Sequence, residues 1–95
     1  MTASTLSLNQ TATRSDDVLF QEVGGEAVLL DLASEQYFGL DPVGTRIWQL
    51  LEKAPALQAV ADTLHTEFEV EPSRMESDLL AIIDKLAAAG LVRLV

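Results

Sequence analysis

Residues 18–40 read VLFQEVGGEAVLLDLASEQYFGL, and this stretch decides the fold. Its first six residues, VLFQEV, are a short run of β-branched, aromatic and polar side chains suited to a strand. Gly24-Gly25 follows, and two adjacent glycines accept positive φ at both centres of a tight hairpin turn. Residues 26–33 (EAVLLDLA) supply the return strand. Val28, Leu30 and Leu32 share one face of it; Leu29, Asp31 and Ala33 share the other. Ser34-Glu35 makes a second turn, and Gln36, Tyr37, Phe38, Gly39 and Leu40 form a third short strand. The spacing predicts a three-stranded antiparallel β-meander.

Beyond residue 40 the apolar period changes from two to helical. Asp41-Pro42 combines a side-chain acceptor for early helical N–H groups with a proline suited to the first helical position. A first helix is expected from Pro42 to Lys53, burying Val43, Ile47, Trp48, Leu50 and Leu51, and broken by Ala54-Pro55. A second spans residues 56–68, with Leu57, Val60, Ala61, Leu64 and Phe68 at helical spacing. Ser73 followed by Glu76 matches a capping box, so a third helix is expected from Ser73. It ends at Gly90, a left-handed C-terminal cap. Residues 91–95 (LVRLV) close the chain as a short extended piece. The fold class is α+β: a three-stranded meander, then three helices, in an outline shared with winged helix-turn-helix domains. Residues 1–16 are rich in Thr, Ser, Ala and Asn, with Leu6 and Leu8 as apolar anchors. They are expected as a flexible tail, extended at most at Leu6–Leu8, leaving 17–95 as the domain.

Ninety-five residues suffice for one core. Fifteen acids against six bases give a net charge of −9, spread along the chain. That leaves no basic face for phosphates, so nucleic acid and anionic membrane are poor partners and none is expected. There is no cysteine, which removes disulfides, thiolate metal sites and a cysteine nucleophile, and fits a cytoplasmic protein. The N-terminus lacks a charged region followed by an apolar one, and no apolar run approaches the ~20 residues of a membrane span. His65, the single histidine, falls where the stripe of the second helix turns polar, and reads as a surface residue. Nothing calls for a metal or cofactor, and the chain is not expected to be an enzyme.

Two surfaces are unusual. On the third helix Met75, Leu79, Leu80, Ile82, Ile83, Leu86, Ala87 and Ala89 span about half the circumference, wider than one neighbour requires. Beside this arc runs a row of Arg74, Asp78, Ala81 and Lys85. It reads either as surface ion pairing or as the polar lip of a groove floored by Ile82 and Leu86. The third strand, QYFGL, is an edge with no Lys or Pro to block pairing. Such an edge is either covered or left open for a partner strand. Tyr37 and Phe38 taken alone read as core aromatics, and Gly39 permits close approach of another backbone.

The stretch AVLLDLASEQYFGLDPVGTRIWQLL, with SDLLAIIDKLAAAGLV further on, resembles the PqqD family, and within it the discrete leader-recognition proteins of lasso-peptide biosynthesis. The residues carrying the resemblance are Leu30-Asp31-Leu32, Tyr37-Phe38-Gly39-Leu40, Gly44, Ile47-Trp48, Asp78, Leu86 and Gly90-Leu91, within residues 18–95. The resemblance implies a peptide-binding module, a RiPP recognition element, that takes the leader of a ribosomally made precursor as an added strand. The leader would lie between the third strand and the third helix. The implied site comprises Gln36, Tyr37, Phe38, Gly39 and Leu40 through their backbones, with Asp78, Ile82, Lys85 and Leu86; Met75 and Leu79 would be shared between groove and core. The implied partners are the precursor leader and a separate leader peptidase of cysteine-protease type, served in trans. Two alternatives stay open. One is a PqqD-type carrier for a radical-SAM or other modifying enzyme. The other is a winged-helix DNA-binding regulator, opposed by three acids against two bases over residues 72–89.

Overall fold

Gly24 and Gly25 take φ of 64° and 85°, the pair of left-handed values a two-residue hairpin turn demands. In the computed structural model, which describes residues 7–95, this turn joins β2 (Val18–Val23) to β3 (Glu26–Asp31) and pairs Val23 with Glu26. β4 (Gln36–Leu40) then pairs antiparallel with β3, Leu29 opposite Phe38 and Leu30 opposite Tyr37. The sheet order is β2-β3-β4, so β4 is an edge. The Asp31 carboxylate accepts bonds from the Ala33 N–H and the Ser34 hydroxyl, which tightens the loop that sets the β4 register.

One face of the sheet meets the helices. Ala27 and Leu29 are buried on it, and Phe38 and Leu40 pack partly against the same core. Tyr37 is 72% exposed, which corrects the expectation of two core aromatics. Neighbours on a strand face opposite ways, so only one of Tyr37 and Phe38 can point inward.

The helices follow the predicted period. In α1 (Pro42–Lys53) the Asp41 carboxylate accepts from the Gly44 N–H at 2.7 Å, and Ile47, Trp48, Leu50 and Leu51 are buried. In α2 (Leu57–Glu67) the buried set is Leu57, Val60, Ala61 and Leu64. Arg46 clamps Glu67 through two hydrogen bonds of 2.8 and 2.7 Å, tying α1 to the end of α2. The Arg46 guanidinium holds the Glu67 carboxyl below the usual carboxylate range. α3 (Pro72–Ala88) starts one residue earlier than the sequence suggests. Glu71 is the N-cap and makes no side-chain cap bond, so the Ser73–Glu76 capping box does not form. Pro72 occupies the first helical turn, where its missing N–H costs nothing, and this moves Ser73 inside the helix. The C-terminal end is as expected. Gly90 has φ 78°, its N–H bonds the Ala87 carbonyl, and the Leu91 N–H bonds the Leu86 carbonyl. That is a Schellman motif, with Leu86 and Leu91 both buried beneath it.

The N-terminal segment departs most from expectation. Residues 1–6 lie outside the described residues, and with them part of the stretch expected at Leu6–Leu8. Residues 7–16 are not a tail. β1 (Ala12–Arg14) pairs antiparallel with β5 (Val92–Leu94). Ala12 is wholly buried, its N–H bonds the Pro55 carbonyl, and the Leu57 N–H bonds the Gln10 carbonyl. Arg14 lies over the Trp48 ring, 4.9 Å from the centroid, and reaches Glu52 at 3.9 Å. This strand is invisible to apolar patterning because it is held by backbone bonds, one small buried side chain and a cation–π contact. Deleting residues 1–14 is therefore expected to lower the melting temperature by on the order of 10 °C or more, since about 1 kcal/mol shifts a domain of this size by roughly 4–8 °C. Thermal denaturation followed by circular dichroism checks this; an unchanged midpoint would mean that β1 contributes nothing.

Candidate functional site

The β2–β3 turn determines which backbone groups of β4 are free. In a two-residue hairpin the closing residues, Val23 and Glu26, exchange both hydrogen bonds, and bonded pairs recur at every second residue. Val28 and Leu30 therefore point their N–H and C=O groups at β2, as does Leu32, whose N–H reaches the Asp17 carbonyl at 2.9 Å. Ala27, Leu29 and Asp31 point theirs at β4, engaging Leu40, Phe38 and Gln36. Tyr37 and Gly39 are left with N–H and C=O directed outward along the edge. Of the five strand residues the sequence singles out, these two can bond a further strand without breaking the sheet.

Alongside this edge lies a cleft. A cavity of about 300 Å³ is lined by Phe38, Gly39, Leu40, Asp41, Gly44, Ile82, Lys85 and Leu86. A narrower continuation is bounded by Gln36, Phe38, Ala89 and Leu91. From α3 and its C-cap the lining residues are thus Ile82, Lys85, Leu86 and Ala89, spaced as one helical face. The walls are apolar, and Lys85 supplies the cationic side chain; it makes no salt bridge among the described residues.

The remaining expected site residues fall elsewhere. Met75 and Leu79 are buried and line neither part of the cleft, so they belong to the core alone. Tyr37 presents its side chain on the opposite face of the sheet. Asp78 stands one turn before Ile82 on the same helical line, past the end of the cleft. Its side chain is 55% exposed, and an oxygen lies 4.0 Å from Arg74. Asp41, Gly44 and Ala89 line the cleft and were missed as site residues. Gly44 matters by what it lacks: a Cβ there would meet the Asp41 carboxylate at 3.2 Å and Leu40 at 3.3 Å. A glycine in the first turn of a helix, directly after an edge strand, is the signal that marks this end of the cleft.

Among the described residues no histidine lines the cleft. His65 is exposed on α2, remote in sequence from every lining residue. Among the described residues no cluster of three His, Cys, Asp or Glu could hold a metal ion. No described helix is long and apolar enough to cross a membrane.

Comparison with known proteins places this architecture. No curated protein matches the sequence. Among solved structures, TbiB1 in complex with the TbiA(beta) leader peptide is 37% identical, with a TM-score of 0.80 over 85% of this chain and 94% of that one. A lasso peptide synthetase B1 complexed with the leader peptide is 26% identical, with a TM-score of 0.77 over 87% of this chain and 98% of that one. The family model for coenzyme PQQ synthesis protein D matches residues 26–92, from the start of β3 to the start of β5. That span contains the open edge, all three helices and both walls of the cleft, and the chain belongs to the PqqD family.

Proposed function

We propose that this chain is a RiPP recognition element that binds the leader of a lasso-peptide precursor and presents it, in the cytoplasm, to a separate leader peptidase. It carries out no chemistry itself. The leader adds as a strand beside β4, bonding Tyr37 and Gly39 through the backbone. Its inward side chains enter the cleft against Phe38, Leu40, Ile82 and Leu86. The observation that carries this reading is the coincidence of an unblocked edge strand with an apolar cleft running beside it. The two matched structures, both leader-peptide complexes, support it.

Titrating the protein with a fluorescently labelled leader tests the proposal. Saturable one-to-one binding is expected for the leader and for the whole precursor, and none for the isolated core segment. The precursor's mass should stay unchanged after incubation with the protein alone. Core-segment binding equal to that of the leader, or cleavage by the pure protein, defeats the reading.

Asp78 offers a finer test. As half of an exposed pair with Arg74 it would matter little, under ~0.5 kcal/mol of stability. As an acceptor for the leader it is worth about 1.5–3 kcal/mol when well desolvated. Its exposure favours the lower end, so Asp78→Ala is expected to weaken leader binding roughly tenfold. Asp84→Ala, about 120° around the same helix, should leave it unchanged. Calorimetric titration of both variants separates the roles, and equal affinities assign Asp78 to the surface pair alone.

A further inference from the structure

Six bases stand among fifteen acids in this chain. Arg14, Arg46 and Arg74 each hold a carboxylate within 4.0 Å. Lys85 holds none among the described residues, and its own helix offers none. Side chains three and four residues apart are neighbours on a helix. For Lys85 these are Ala81 and Ile82 before it and Ala88 and Ala89 after it. Its ammonium therefore stands without an acid at the lip of the apolar cleft, beside Ile82 and Leu86, with Phe38 and Leu40 on the other wall. Asp41 also borders this cleft, but its carboxylate accepts the Gly44 N–H at 2.7 Å to cap α1 and makes no ion pair with Lys85.

Strand register narrows where a leader carboxylate would meet Lys85. Side chains alternate along a strand, so the leader residue that bonds Gly39 faces away from the helices and its two neighbours face the cleft. One neighbour lies opposite Leu40, next to Asp41, where a second carboxylate would be repelled. The other lies opposite Phe38, farther along the strand from Asp41. A carboxylate there enters between apolar walls, and the lysine stem can lie along the α3 wall while its ammonium reaches that carboxylate. The net charge of −9 repels an acidic leader as a whole, so the acid is a requirement of one position rather than a general preference.

We infer that Lys85 is a specificity residue: it selects leaders that carry Asp or Glu at the cleft-facing position opposite Phe38, and pairs with that carboxylate. This rests on the leader-binding reading and adds a charge requirement that the apolar walls alone do not impose.

The test uses the full chain and the labelled leader of its own precursor, with no peptidase present. Lys85→Met keeps the stem and the helix propensity and removes the charge. Lys53→Met, at an exposed position in the last turn of α1, removes the same charge away from the cleft. With circular dichroism unchanged, Lys85→Met should weaken binding roughly five- to tenfold, the loss of a partly desolvated ion pair. Lys53→Met should stay within twofold of the parent. Each acid of the leader is then exchanged for its amide in turn. One exchange should weaken binding to the parent as much as Lys85→Met does, and should weaken binding to the Lys85→Met protein no further. Lysine at that same leader position should restore binding to Lys85→Glu. Parent-like binding by Lys85→Met overturns the assignment, as does an equal loss in Lys53→Met or a loss that no single leader acid shares. A parent that binds no leader overturns the leader reading itself, and does so at the first titration, before any variant is compared.

Discussion

Replacing Gly39 by proline is expected to weaken leader binding at least tenfold while the protein stays folded. The alternation set by the Gly24-Gly25 turn directs the Gly39 N–H away from β3, so proline removes no bond of the sheet. Proline is tolerated in a strand where its missing N–H faces outward from an edge. What it removes is a donor to the incoming strand, and its ring occupies the space that strand needs. Losing one net hydrogen bond costs about 1 kcal/mol, and the steric term brings the total to about 1.4 kcal/mol or more, which is tenfold in affinity. Gly39→Ala is the companion. A Cβ at this position meets nothing within 4 Å, and the N–H is retained, so its affinity should stay close to that of the parent. Fluorescence anisotropy with labelled leader, alongside circular dichroism, reads both variants. A folded Gly39→Pro protein that binds like the parent places the leader at another edge.

Ile82→Asp is expected to be still more damaging, lowering affinity roughly 100-fold, or about 2.7 kcal/mol. Ile82 is half-buried and forms part of the α3 wall of the cleft. Burying an aliphatic side chain of this size against a ligand contributes about 1.5–3 kcal/mol, and a carboxylate in its place must be desolvated when the leader arrives. The same half-burial protects the test. In the unliganded protein the new carboxylate reaches water, and the loss of helix propensity is a few tenths of a kcal/mol. Ser77→Asp, at an exposed position about 140° around the same helix, controls for added charge. Calorimetry should show Ser77→Asp near the parent and Ile82→Asp far weaker. Equal weakening of the two would trace the effect to net charge rather than to the cleft.

Local chemistry made most of the architecture legible. The glycine pair, the period-two strands and the switch to helical period at Asp41-Pro42 each act over a few residues, and each appears in the structure where the sequence places it. The Gly90 cap does too, because its left-handed conformation depends only on the residues around it. Both walls of the cleft were visible for related reasons: QYFGL lacks the residues that block an edge, and α3 carries more apolar surface than one neighbour can cover.

What sequence pattern left open concerns choices between two equivalent local answers. An apolar arc of half a helix does not say which part meets the core. Packing α3 against α2 and the sheet buried Met75, Leu79, Ile83 and Leu86, and left Ile82 at the cleft wall. Adjacent aromatics on an edge strand do not say which points inward. Pairing with Leu29 turned Phe38 toward the helices and Tyr37 to solvent. β1 was missed because its partners, Pro55, Trp48 and β5, lie at least 34 residues away in sequence. Period, caps and turns are thus dictated residue by residue. Which face is buried and which strand edge stays open depend on where distant elements come to rest, because burial is a property of the packed whole rather than of any segment.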